Sequence, residues 1–225
     1  MLAFLQENIS VILSVIGHVL ALGFVFALRK RLGLHRWWQP IGVYVLFFAI
    51  TTGSTTVFVQ LEKLLVGTSA AGIFGVFFIA APILLLLLCW QRRDVAAYFD
   101  VFAYTSLVNM FVQRMYCCLI GCCSGFEIFS LGVDWPVREV ELICDVVLMI
   151  VLLRVGRKQS MSGNLFPLLM ICFSGYRFVI EWGRYAKILG FGLHLAHIWA
   201  VLGMIIGISI YQELRAQAKL HVNRA

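Results

Sequence analysis

The sequence predicts an all-α, polytopic membrane protein of about seven transmembrane helices, each needing about 20 mainly apolar residues. Three observations carry this reading. First, 62% of the 225 residues are hydrophobic and only 13% are charged, whereas a soluble domain runs at about 45–50% apolar and about 25% charged. Second, apolar runs of spanning length recur along the chain and are closed by short basic clusters. Third, those basic clusters fall mainly on one side if every run crosses a bilayer. The polar stretches are no longer than loops, so residues 1–225 are expected to form a single integral-membrane domain. The first apolar run has no charged lead and no small-residue cleavage site, and is expected to stay as a helix. The net charge of +7 reads as orientation. No basic patch alternates with aromatics, so nucleic acid is not an expected partner.

The first span is expected at 9–28, closed by Arg29, Lys30 and Arg31, and the second at 38–60, closed by Glu62 and Lys63. The third is expected at 66–90, closed by Arg92 and Arg93, and the fourth at 95–118, carrying Asp100 and Arg114. A loop with Asp134 and Pro136 leads to a fifth span at 138–153, closed by Arg154, Arg157 and Lys158. The sixth and seventh are expected at 165–182 and 191–211. With the N-terminus outside and the C-terminus cytoplasmic, the inner loops and tail collect twelve of the eighteen basic residues, as the positive-inside rule requires. Arg114 and Arg177 then lie near the outer ends of the fourth and sixth spans, and Arg138 at the outer start of the fifth.

A charge near the bilayer centre costs roughly 2.5–3.5 kcal/mol on insertion scales, so such residues usually face the bundle interior and mark a function. Here they cluster. In "GYRFVIEWGR", Arg177, Glu181 and Arg184 stand at i, i+4 and i+7, on one helix face; in "PVREVELICD", Arg138, Glu141 and Asp145 stand at i, i+3 and i+7. The grouping admits internal salt bridges, an ion or proton pathway, or a cavity with surplus positive charge and unpaired guanidiniums. The last suits an anionic phospholipid headgroup, because arginine binds phosphate through paired hydrogen bonds.

These residues resemble the bacterial prolipoprotein diacylglyceryl transferases, in the branch with a Gly-Cys-Cys motif. "QRMYCCLIGCCSG" is similar to the family signature through Arg114, Gly121 and Gly125, with Cys117 at its asparagine position and Cys122 at its acidic one. "YRFVIEWGR" is similar to the second signature and places Arg177, Glu181 and Arg184 on its charges; Pro136 with Glu141 and the lone Asp100 match further family positions. In "GTSAAGIFG", Ala70 stands where the family has a histidine, and Arg138 replaces an expected glutamine. The resemblance runs from about Gly67 to the C-terminus. It implies a seven-helix enzyme of the bacterial cytoplasmic membrane with its active site toward the outer leaflet. The implied reaction moves the diacylglyceryl group of phosphatidylglycerol to the lipobox cysteine of an exported prolipoprotein, without a metal or other cofactor.

On that reading Arg114 and Arg177 grip the phosphate, Arg138 and Arg184 extend the positive field, and fixed charge stabilises the departing phosphate. Glu141 and Glu181 orient the arginines or move protons, Tyr176 is a phosphate contact or proton relay, and Cys117, Gly121, Cys122 and Gly125 line the substrate. The residues alone leave the cysteines open. Cys117, Cys118, Cys122 and Cys123 serve as small packing residues, a metal site of unusual spacing or redox thiols near an arginine. On a continuous helix Arg114, Cys118, Gly121 and Gly125 would share a face. His194 and His197, in "HLAH", read as packing residues or as a metal pair, and His18 as interior packing.

Overall fold

A computed structural model describes residues 2–67, 72–121, 125, 135–158, 162–184, 188–190 and 193–222. The described chain is helical apart from a two-stranded hairpin. In order it forms α1 (Leu2–Ala27), α2 (Gln39–Val66), a π-helical turn (Val76–Ala80) running into α3 (Ala81–Trp90), α4 (Val95–Ile120), α5 (Val137–Lys158), α6 (Leu165–Glu181), β1 (Ile188–Gly190), β2 (Leu193–His194) and α7 (Leu195–Val222). β1 and β2 pair antiparallel. Among the described residues three helical stretches are long and apolar enough to cross a membrane: Gln39–Val66, Val95–Ile120 and Leu195–Ala216. Val11–Ala27 and Val76–Trp90 are shorter apolar helices. α6 has 17 residues, about 25 Å at 1.5 Å per residue.

α4 is the central element. Nearly every side chain from Ala97 to Val108 is buried, because α1, α5 and α6 all pack on it. α1 lies antiparallel to it, with Phe24 stacked on Tyr104 at 5.1 Å and the Gly17 backbone close against Val112. On its α5 side, the Tyr104 hydroxyl donates to the Leu152 carbonyl across 3.1 Å. The π-helical turn carries Phe77 into an aromatic core, edge-on to Phe166 at 5.9 Å and to Phe173 at 5.5 Å. Such edge-to-face pairs contribute beyond their buried area. α6 and α7 pack closely. A Cβ on Gly207 would stand 2.9 Å from Ile171, so only glycine lets the two backbones approach.

Several expected boundaries shift for identifiable reasons. The expected third span, 66–90, is not one helix. α2 runs on to Val66 and stops at Gly67, which adopts the left-handed conformation with φ 77°. Past the turn at 72–73 the chain is helical again from Phe74 into the π-helical turn, with Gly75 close to the Ser54 carbonyl of α2. Glu62, read as a polar closure of the second span, is buried, and the Trp199 indole donates to it across 3.1 Å. α5 continues to Lys158, taking Arg157 and Lys158 into its last turn, where cations favour the helix dipole. α7 begins at Leu195 and runs to Val222, well past the expected 211.

Asp100, which the resemblance singled out, lies about 20 Å along α4 from Arg114 at 1.5 Å per residue and is buried. It has a structural task there. Its two carboxylate oxygens accept from the Gly163 amide at 3.0 Å and the Leu165 amide at 2.9 Å. α6 has no side-chain cap of its own at Asn164, so Asp100 satisfies the orphan Leu165 amide of its first turn, and the Gly163 amide just before the helix, from a neighbouring helix. Asp100→Ala is expected to destabilise the fold by about 1–3 kcal/mol, the cost of stranding buried donors. Faster hydrogen exchange at Gly163 and Leu165 would register it; unchanged exchange would remove Asp100 from that role.

Candidate functional site

The buried stripe of α5 is Val137, Glu141, Asp145, Leu148 and Leu152. This spacing of three and four residues turns two carboxylates into the bundle. α6 faces them with Phe173, Arg177 and Glu181, all buried. α4 brings Arg114 from the third side near its C-terminal end, where Gly121 closes the helix with φ 77°.

Glu141 is the hub. One oxygen accepts from Arg177 Nη1; the other pairs with Arg114 Nη1 at 3.0 Å and accepts from Arg184 Nη2 at 2.5 Å. Arg177 Nη2 also pairs with Glu181 Oε2 at 2.9 Å, which fixes this guanidinium between two carboxylates. Arg184 Nε and His194 Nδ1 approach Glu181 at 3.8 and 3.7 Å. Beside the hub, the Tyr176 hydroxyl donates to Asp145 Oδ1, while Asp145 Oδ2 is buried with no hydrogen-bond partner among the described residues. Isolating a buried carboxylate costs several kcal/mol, so Glu141, with no exposed side-chain surface, depends on its guanidinium partners. Burial, then the nearby Arg177 charge, pulls the Arg184 pKa below its ordinary value.

The three arginines differ in access. The Arg177 side chain is 2% exposed, whereas Arg114 and Arg184 keep 15% and 11%. A guanidinium has five N–H donors. Glu141 therefore anchors Arg114 and Arg184, whose side chains stay partly exposed, while Arg184 Nε is buried on the Glu181 side. Two planar cations held side by side match the oxygens of a phosphate group.

The structure thus brings together Arg114, Glu141, Tyr176, Arg177, Glu181 and Arg184. It corrects the expectation of unpaired guanidiniums, since Arg114, Arg177 and Arg184 each have a carboxylate partner. Among the described residues Arg138 makes no ion pair with Glu141, Asp145 or Glu181. Arg138 lies beside the buried stripe rather than on it and pairs at 3.6 Å with the half-exposed Glu139. The shared face of Arg114, Cys118, Gly121 and Gly125 does not exist either, because α4 ends at Ile120. Gly121 lies near Arg138, whose Nη1 is 3.5 Å from the position of a Gly121 Cβ. Gly125 instead bridges backbone to backbone with Arg184, in a space where a Cβ would come within 2.7 Å of the Gly183 carbonyl. The glycine ending the cysteine segment therefore helps to place the third guanidinium. Cys117 is buried in the last turn of α4. Cys122, Cys123 and Ala70 lie outside the described residues.

Two residues enter that sequence reasoning did not assign to the site: Asp145, through Tyr176, and His194, through Glu181. Asp145 was visible as the buried-stripe partner of Glu141 at i+4; His194 reaches Glu181 only because the β hairpin folds back. The His194 amide donates to His197 Nδ1 across 3.0 Å, and His197 packs edge-on against Phe178 and Trp182. Among the described residues no three His, Cys, Asp or Glu side chains are grouped to hold a metal ion. No protein-family model matches the chain, and no curated protein matches it.

Proposed function

We propose that the protein is a phospholipid-dependent transferase that moves a diacylglyceryl group from phosphatidylglycerol to the cysteine thiol of an exported prolipoprotein. The observation that carries this reading is the paired, partly accessible edge of Arg114 and Arg184, anchored from behind by Glu141. The proposed topology has seven spans in the bacterial cytoplasmic membrane, N-terminus outside, with this edge toward the outer leaflet.

In the reaction Arg114 and Arg184 hold the phosphodiester. The acceptor thiol attacks the diacylglyceryl carbon bonded to the phosphate oxygen. The S–C bond forms, the C–O bond breaks, and glycerol phosphate leaves with one more negative charge. The two guanidiniums stabilise that charge as it develops. Tyr176 takes the thiol proton as it passes its own to Asp145, which finishes the step protonated. Arg177, Glu181 and Glu141 do not touch the lipid in this scheme; they hold the two phosphate-binding arginines in place.

A second reading treats the cluster as an ionic latch joining α4, α5 and α6, with no catalysis. The observation favouring it is the near-complete burial of Arg177 between Glu141 and Glu181. Purified protein incubated with labelled phosphatidylglycerol and a lipobox peptide separates the two. The transferase reading expects a peptide heavier by one diacylglyceryl group and release of glycerol phosphate. Intact lipid and unmodified peptide would leave only the latch.

A further inference from the structure

A second polar region lies on the other side of α4. An open cavity of about 440 Å³ is lined by α1, α2, α4 and the segment leading into the π-helical turn. Its polar lining includes Ser14 and His18 from α1, Thr51 and Thr55 from α2, and Ser106 and Asn109 from α4. Among the described residues no Lys, Arg, Asp or Glu lines it. It is distinct from the arginine cluster. Gln113 lines the cavity, whereas the next residue, Arg114, turns to α5.

The setting narrows what could enter. The outer faces of α1 and α2 are apolar, with Val11, Ile12, Val15, Val45 and Val57 exposed. Polar hydrogen-bonding groups thus sit behind walls suited to lipid. Such groups are costly in hydrocarbon unless they are satisfied. His18 is held between two hydroxyls, Tyr44 at 2.6 Å from Nδ1 and Ser14 at 3.3 Å from Nε2. The Thr55 hydroxyl donates into its own helix at 3.0 Å, which leaves its lone pairs to accept. At the buried end Ser106 is 2% exposed, and its hydroxyl has no hydrogen-bond partner among the described residues.

We infer that this cavity binds an uncharged, membrane-soluble glyceride, of the diacylglycerol kind, through its free hydroxyl and ester groups. The uncharged lining among the described residues disfavours an anionic or cationic headgroup, since neither would recover its desolvation cost there. The mixture of hydroxyls, carboxamides and imidazole both donates and accepts. That suits a free hydroxyl beside ester carbonyls better than a quinone, which only accepts. The inference stands apart from the proposed transferase activity: it concerns a different face of α4 and needs neither Arg114 nor Glu141.

The test is photolabelling of the full chain in phosphatidylcholine liposomes with a diacylglycerol carrying a diazirine next to one ester. Labels are expected on residues 13–18, 48–55 and 106–116, displaced by excess unlabelled diacylglycerol and not by phosphatidylglycerol. Ser106→Leu with Asn109→Leu, which fills the cavity, is expected to reduce labelling there about tenfold, the equivalent of 1.4 kcal/mol in binding. His18→Leu, at the half-exposed rim, is expected to reduce it in the same direction without entering packed core. Labelling spread evenly over the lipid faces of α2 and α7, or unmoved by both variants, would overturn the site. Displacement by phosphatidylglycerol or by a benzoquinone in preference to diacylglycerol would overturn the ligand class.

Discussion

Glu141→Gln is expected to destabilise the protein by about 3–5 kcal/mol, because it removes the charge that three guanidiniums share and leaves buried cations uncompensated. In a protein of this size that corresponds to a fall on the order of 10 °C in thermal midpoint. Glu139→Gln is the control. Its pair with Arg138 spans 3.6 Å and Glu139 is half exposed, so the change is expected to stay within about 0.5 kcal/mol. Thermal unfolding in detergent, followed by circular dichroism, reads both. Equal midpoints for the two variants would mean that Glu141 does not join the helices.

Arg114→Gln and Arg184→Gln are each expected to lower diacylglyceryl transfer by about 10²–10³-fold, the usual cost of removing one donor to developing anionic charge. Both retain a polar, hydrogen-bonding side chain at a partly exposed site, so their thermal midpoints should move far less than that of Glu141→Gln. Arg177→Gln should behave oppositely. Arg177 is almost wholly buried between Glu141 and Glu181, so its loss is expected to appear first as instability. Initial rates and thermal midpoints for the three variants separate these roles. Arg114→Gln that melts normally and transfers lipid at the normal rate would exclude Arg114 from the chemistry.

The legible part of this molecule is the part written in local spacing. Arg177 and Glu181 sit four apart on one helix, and they pair as that spacing dictates. The α5 carboxylates are also four apart and fall on one buried stripe. Arg138 was grouped with them through its i+3 spacing to Glu141, but the stripe passes through Val137, and one position of rotation put Arg138 at the rim. What spacing could not give is which cation meets which carboxylate across helices. Three arginines on Glu141 is a tertiary fact, set by how α4, α5 and α6 pack. The expected third span differs because 66–90 carries no charge, and hydropathy does not register that Gly67 turns left-handed or that Gly75 must pass close to α2. Asp100 was legible as an out-of-place charge, but its partners, the Gly163 and Leu165 amides, lie more than sixty residues away.

Lipid retention gives the decisive comparison. Native mass spectrometry of protein purified from mixed phosphatidylglycerol and phosphatidylcholine micelles should show the wild type retaining phosphatidylglycerol preferentially. The Arg114→Gln, Arg184→Gln double variant should lose that preference while staying folded. A double variant that retains phosphatidylglycerol as the wild type does would contradict a phosphate site at these two arginines and leave the cluster as an ionic latch.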